Sequence, residues 1–248
     1  MQGGNPELKA EKSKSYTFGL AYSYENVFNA KADYWVIETE NAIDTNPQFI
    51  VDQFRANGSF ADRVTLDGSN SITSIQAIAL NLASRKIKGL DLGIDYAFRN
   101  TPVGTFTTNL LATHFINYQN QADSTAPFTN VVGKYVDASG GGRGSIPKWK
   151  GLFDVGYALA GVQAGVSMNY VSGLDDEVGG GYPKLDAWRT YDARLGYDFN
   201  QGGVVTFGID NVTDKAPPTS FRAGNDNIDA RTHNLIGRFY YGRYNVSI

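Results

Sequence analysis

Few residues of this chain have the types and spacing that chemistry requires. The two histidines, His114 and His233, are far apart in sequence and carry no His-Glu-x-x-His spacing of the kind that builds a metal centre. They read as polar residues of the scaffold. Asp175-Asp176-Glu177 clusters carboxylates that can bind Ca²⁺, yet it lacks the 12-residue loop pattern such a site needs and reads as a solvated acidic loop. Gly140 to Gly144, interrupted only by Arg143, has no following Gly-Lys-Ser/Thr, so it reads as loop and not as a phosphate cradle. Catalytic, cofactor-binding and metal-ligating residues are therefore assigned nowhere.

What remains is aromatic. Phe49, Phe54, Phe128, Tyr135, Tyr182 and Phe221 lie in segments rich in turn residues, where rings can stack on a ligand. The competing reading is that loop aromatics pack loops on one another.

The elements that must position them are strands. The sequence has 248 residues with 15 Tyr, 14 Phe and 28 Gly against 2 Met and no Cys, a balance that favours all-β structure with many turns. Formal net charge is −3, which excludes the basic surface that nucleic acid requires. Absent cysteine rules out disulfides and thiolate metal sites. Mean hydropathy is −0.32 and no apolar run approaches the roughly 18 to 20 residues of a membrane helix. A membrane strand shows lipid only alternate residues, so this value leaves a barrel open. The N-terminal Met1-Gln-Gly-Gly-Asn-Pro has neither a basic start nor an apolar core, and predicts a removed leader or a chain beginning mid-protein.

Nine strands are expected: 15–25, 29–38, 71–98, 104–118, 149–159, 162–171, 188–199, 204–210 and 237–248. In several, one parity is apolar and the other polar. Leu90, Leu92 and Ile94 alternate with Asp91, Gly93 and Asp95, and Tyr191, Leu195 and Tyr197 with Asp192, Arg194 and Asp198. Connections alternate short and long, with long loops at 39–70, 119–148, 172–187 and 211–236; Gln48 to Ala56 can add one or two helical turns. That asymmetry fits outer-membrane barrels, with tight periplasmic turns and long extracellular loops. In such a barrel Leu90, Leu92, Ile94, Tyr191, Leu195 and Tyr197 face lipid. The reverse register would bring Arg194 into hydrocarbon at a cost of about 2–4 kcal/mol.

Three stretches carry a family likeness. Asn5-Pro6-Glu7-Leu8-Lys9-Ala10-Glu11-Lys12-Ser13 before a Tyr-rich strand resembles the Asn-Pro-x-Leu-Lys-Pro-Glu segment of TonB-dependent receptor barrels, with Ala10 in place of the usual Pro. Lys88-Gly89-Leu90-Asp91-Leu92 is similar to another strand of those barrels. Phe207-Gly208-Ile209-Asp210-Asn211-Val212-Thr213-Asp214-Lys215-Ala216-Pro217-Pro218 resembles their penultimate-strand box, and Gly237-Arg238-Phe239-Tyr240-Tyr241-Gly242 their C-terminal box; Ile248 stands where the family usually ends in Phe. Asn211, Asp214, Pro217, Pro218, Gly237 and Arg238 are the motif positions.

The resemblance covers essentially the whole chain. It implies an antiparallel transmembrane β-barrel segment: residues 1–248 as about nine strands of a larger barrel, of about 22 strands around a plug. The plug and the N-terminal TonB-contacting segment are expected to be missing. It further implies a bacterial outer-membrane location, no enzymatic activity, no cofactor, and three partners: outer-membrane lipid, the TonB complex through the missing region, and a scarce nutrient such as iron-siderophore, cobalamin or glycan. The other readings are a small stand-alone barrel, either an omptin-like protease or a porin, and a soluble glycan-binding β-sandwich. In the sandwich Leu195 and Tyr197 would be buried against a second sheet.

Overall fold

The computed structural model describes residues 2–3, 5–121, 126–135, 145–176, 184–220 and 227–246. Nine long strands form one antiparallel sheet with neighbours in chain order: β1 (Lys12–Tyr24), β2 (Phe28–Asp44), β3 (Leu80–Thr101), β4 (Gly104–Gln121), β5 (Trp149–Leu159), β6 (Val162–Val171), β7 (Trp188–Asp198), β8 (Val204–Asp210) and β9 (Phe239–Asn245). The expected strand number and the short-long alternation hold. At Ala160-Gly161 both turn residues have positive φ, 49° and 83°, which matches the right-handed twist of the hairpin strands. Strands β5, β6 and β7 have 11, 10 and 11 residues, the length of a tilted membrane strand.

Three differences from expectation are the largest. β2 runs on to Asp44. Residues 71–79 are separate from the long strand: Ile72–Ile75 pairs with Val64–Leu66 as a small hairpin, and β3 starts at Leu80. The Asp67 carboxylate locks that hairpin's turn, accepting from the Ser69 hydroxyl and the Ser69 and Ser71 amides, at 2.7, 2.8 and 2.9 Å. These bonds, the Ser69 hydroxyl's first, hold its pKa below the usual 3.8. Finally, Pro47–Asn57 is a full helix, α1. It starts one residue before the expected Gln48, because the Asn46 side chain accepts from the Phe49 amide and proline at the first helical position gives up no needed donor. Gly58, at φ 75°, ends it. Asn46→Ala should cost about 1 kcal/mol locally, read as roughly fivefold faster amide exchange across 47–57 with the sheet unchanged.

The chain divides into two compact units. The first comprises 1–16, 36–87 and 117–130. Its interior holds Ala42, Ile50, Val51, Ile78 and Ala83. Asn81 ties the first family segment down: its amide donates to the carbonyls of Lys9 and Asn41, and its oxygen accepts from the Lys9 amide. Asn5 donates to the Ala79 carbonyl in the same way. The first recognised segment is thus tied to the start of β3 and the end of β2.

The second unit comprises 17–35, 88–116 and 131–248. Its register sorts side chains onto two faces. Val155, Val166, Ala193 and Ile209 are successive neighbours on one, and Ala164, Leu195, Phe207 and Gly242 on the same face one step along. This face is apolar and uncovered: Leu195 is 59% exposed, Phe207 67% and Val166 54%. Tyr191, Tyr197 and Ile94 are exposed too, while Leu90 and Leu92 are half-buried. No second sheet covers Leu195 and Tyr197 among the described residues, which rejects the sandwich.

The opposite face carries polar side chains that satisfy one another. Arg194 donates two bonds to Asp154, at 2.6 and 2.8 Å, and Thr113 and Asn109 donate to Asp91 and Asp95. Gly165 faces Arg194 across the β6–β7 pair, and a Cβ there would overlap the guanidinium. Glycine makes room for the ion pair.

Candidate functional site

The polar face ends, near the long loops, in a cleft of about 580 Å³. Its floor and walls are strand residues, among them Lys150, Leu152, Asn169, Trp188, Thr190 and Asp192. Its roof is the segment after β8, with Thr232, Asn234, Ile236 and Gly237. Aromatic, hydroxyl, amide and charged groups therefore converge on one concavity, the usual make-up of a small-molecule site.

Asp192 organises this wall. Its carboxylate accepts from the Asn169 amide at 2.7 Å and from the backbone amide of Asn211 at 2.8 Å, so it joins β6, β7 and the start of the roof segment. The family motif continues the construction. Asn211, with φ 50°, closes a five-residue loop by exchanging bonds with both backbone groups of Lys215, at 2.9 and 3.0 Å. Asp214 accepts from the Arg238 amide at 2.9 Å, and the Arg238 guanidinium donates to the Val212 carbonyl at 3.0 Å. Gly237, at φ 74°, makes the turn into β9 that brings Arg238 back to Asp214. Pro217 and Pro218 are half-buried in the intervening segment. These motif residues shape the loop that covers the cleft.

The roof is fastened by His233. It is 4% exposed and packs edge-on against Trp188, with ring centroids 5.5 Å apart at 84°; Trp188 is 6% exposed. Burial pushes its pKa below the ordinary 6.5. His114 lies elsewhere: it stacks on Trp149 at 4.1 Å, its Nδ1 3.0 Å from the Lys148 carbonyl oxygen.

The loop aromatics are dispersed. In the first unit Phe49 packs edge-on against Phe60 at 6.0 Å, Phe54 is half-buried on α1, and exposed Phe128 lies under the Lys86 ammonium, 4.8 Å from its ring centre. In the second, Tyr135 is 3% exposed in a small core with Leu174 and Leu185 and packs loop on loop. Tyr182 and Phe221 lie outside the described residues, as do Glu177 and the 140–144 glycine run. None of the four described loop aromatics lines the cleft. Its own residues were visible to sequence reasoning only in part. Asp192 was legible as a residue of the polar face, but its partners stand 19 and 23 positions away, beyond any local pattern.

An uncovered apolar face, a hydrogen-bonded polar face and long loops at one end define a membrane β-barrel wall. Comparison with known proteins supports that class. The family model described as TonB dependent receptor-like, beta-barrel matches residues 1–212. The chain belongs to this family, whose barrels are bacterial outer-membrane proteins and whose members are transporters, not enzymes. That sets aside the omptin-like alternative.

No curated protein matches the sequence. Among solved structures, the ferric enterobactin receptor PfeA from Pseudomonas aeruginosa, a Q482A mutant in complex with enterobactin, aligns with TM-score 0.63 at 18% identity, over 97% of this chain and 32% of that one. The FrpB iron transporter from Neisseria meningitidis gives TM-score 0.62 at 15% identity, over 97% and 32%. The copper transporter OprC gives 0.58 at 18%, over 96% and 31%. At such identities the likeness is one of fold. The chain spans about a third of the length of these receptors.

Proposed function

We propose that residues 1–248 form the C-terminal nine strands of a TonB-dependent receptor barrel of about 22 strands closed around a plug, and that this receptor imports a ferric chelate across the outer membrane. The two-faced sheet carries this reading. Leu90, Leu92, Ile94, Tyr191, Leu195 and Tyr197 meet acyl chains, and the Asp154, Asp192 and Arg194 network lines the lumen. The plug region transmits the pull of TonB. Iron is favoured over cobalamin or glycan because PfeA and FrpB are by name iron receptors and share this wall fold.

On this reading the cleft beside Trp188 holds part of the chelate, and the long loops complete the capture surface. Leu152 projects from rigid β5 into the cleft and belongs to no polar network, so Leu152→Trp fills the space without cutting a hydrogen bond. Uptake of radiolabelled iron supplied as chelates should fall about tenfold, equal to roughly 1.4 kcal/mol of lost binding, with unchanged receptor in the membrane. Unchanged iron uptake, or loss of cobalamin uptake instead, rejects the proposal.

A further inference from the structure

The roof of the cleft is held by an unusual fastening. The His233 ring is inserted between its own loop and the β7 wall, where the charged groups acting on it are few. Asp229, 6% exposed on the same loop, accepts from the His233 backbone amide through its carbonyl at 3.0 Å and lies 3.3 Å from Nδ1 through the same oxygen. Its carboxylate Oδ1 accepts from the Arg231 amide, while Oδ2 is buried with no partner among the described residues. From the wall, Lys150 on β5 repels a proton on the imidazole, and Asp192 and Asp210 line the cleft. The Trp188 indole N–H is likewise buried without an acceptor among the described residues. Unpaired buried polar atoms on both sides of the contact make it a weak seam in an otherwise hydrogen-bonded wall.

We propose that His233 is the positioning residue of the cleft, a latch that holds the roof segment 227–237 against Trp188 while neutral and releases it when protonated. For its consequence the inference rests on the ligand-cleft reading above. The latch itself does not. Protonating the imidazole would put a charge into this buried contact; Asp229 attracts that charge and Lys150 opposes it, and the lost hydration outweighs the attraction. The sign follows from linkage. Because burial holds the folded-state pKa below 6.5, the latched state binds fewer protons than the released one, so latching is complete above about pH 6.5 and is lost as pH falls below it. Within that window each pH unit shifts the opening equilibrium by up to about tenfold. Acidification would thus uncover Thr232, Asn234 and the Trp188 side of the cleft, loosening whatever is bound beneath.

The test needs no ligand. Peptide-resolved amide hydrogen exchange of the protein in outer-membrane vesicles, corrected for intrinsic rates, is compared at pH 7.5 and 5.5 for the wild type and His233→Phe, which keeps an aromatic ring on Trp188 but cannot titrate. Wild-type exchange across 227–237 should rise at pH 5.5, by up to about tenfold, with strands β5 to β8 unchanged, and the variant should show no rise. If His233→Phe fails to reach the membrane, His233→Gln serves the same comparison. A pH response shared by wild type and variant, or absent from both, overturns the latch. Neither result touches the cleft reading, which Leu152→Trp tests through uptake.

Discussion

Leu195→Arg will remove most of the folded protein from the outer membrane, whereas Thr206→Arg, on a neighbouring strand but the opposite face, will leave it in place. Leu195 sits mid-strand in β7, 59% exposed, between Ala164 and Phe207 on the uncovered face. If that face meets hydrocarbon, a cation near the bilayer midplane costs about 2–4 kcal/mol, a sizeable fraction of a barrel's stability. Thr206 pairs with Gly196 and Arg243 on the polar face, where an added cation meets water and its repulsion from Arg243 costs at most about 1 kcal/mol. Denaturant unfolding of the two variants in vesicles, with the folded fraction after extraction, reads both effects. Equal tolerance of the two substitutions would overturn the assignment of faces, and with it the membrane reading.

The asymmetry between those faces explains how much was legible in advance. Strand number, order and facing all follow from period-2 alternation, because lipid or water imposes one solvent along the whole of a strand's face. At Tyr191 to Tyr197 the sequence therefore reports the register directly. Residues 71–79 break the rule. Ile72 and Ile75 carry strand-like composition, but they pair with Val64–Leu66 inside the long loop, and Gly89 and Gly93 mark positions under Trp35 and Lys31 and not the strand's start. Helix α1 exceeded its expected one or two turns because its cap, Asn46-Pro47, acts locally while its buried Ile50 and Val51 answer to tertiary packing. The cleft was the least legible part. Its aromatic members, Tyr170, Trp188 and Phe239, lie on strands and not in loops, and its roof comes from a segment whose motif residues resembled a family signature without disclosing what they build.

Asp192→Ala will disrupt the cleft more than any substitution of a loop aromatic. The carboxylate accepts two bonds that join three parts of the wall, and both donors would be left behind in the variant. The Asn211 amide suffers most, because Asn211 is 7% exposed and its side chain is already committed to Lys215, so no rearrangement supplies a new acceptor. Two bonds to a carboxylate, with one buried donor orphaned, amount to about 2–4 kcal/mol. Asp192→Asn recovers one acceptor and should recover about half. The loss is local: exchange across 211–216 and the roof should accelerate by more than tenfold, while β5 and β6 keep their protection and the lipid face its register. On the proposed function, chelate uptake should fall with it, because the roof is loosened over Trp188. A variant whose strands unfold as a whole would instead make Asp192 a determinant of the barrel, and one with an intact, protected roof would show that Asn211 holds that segment through its own five-residue loop alone.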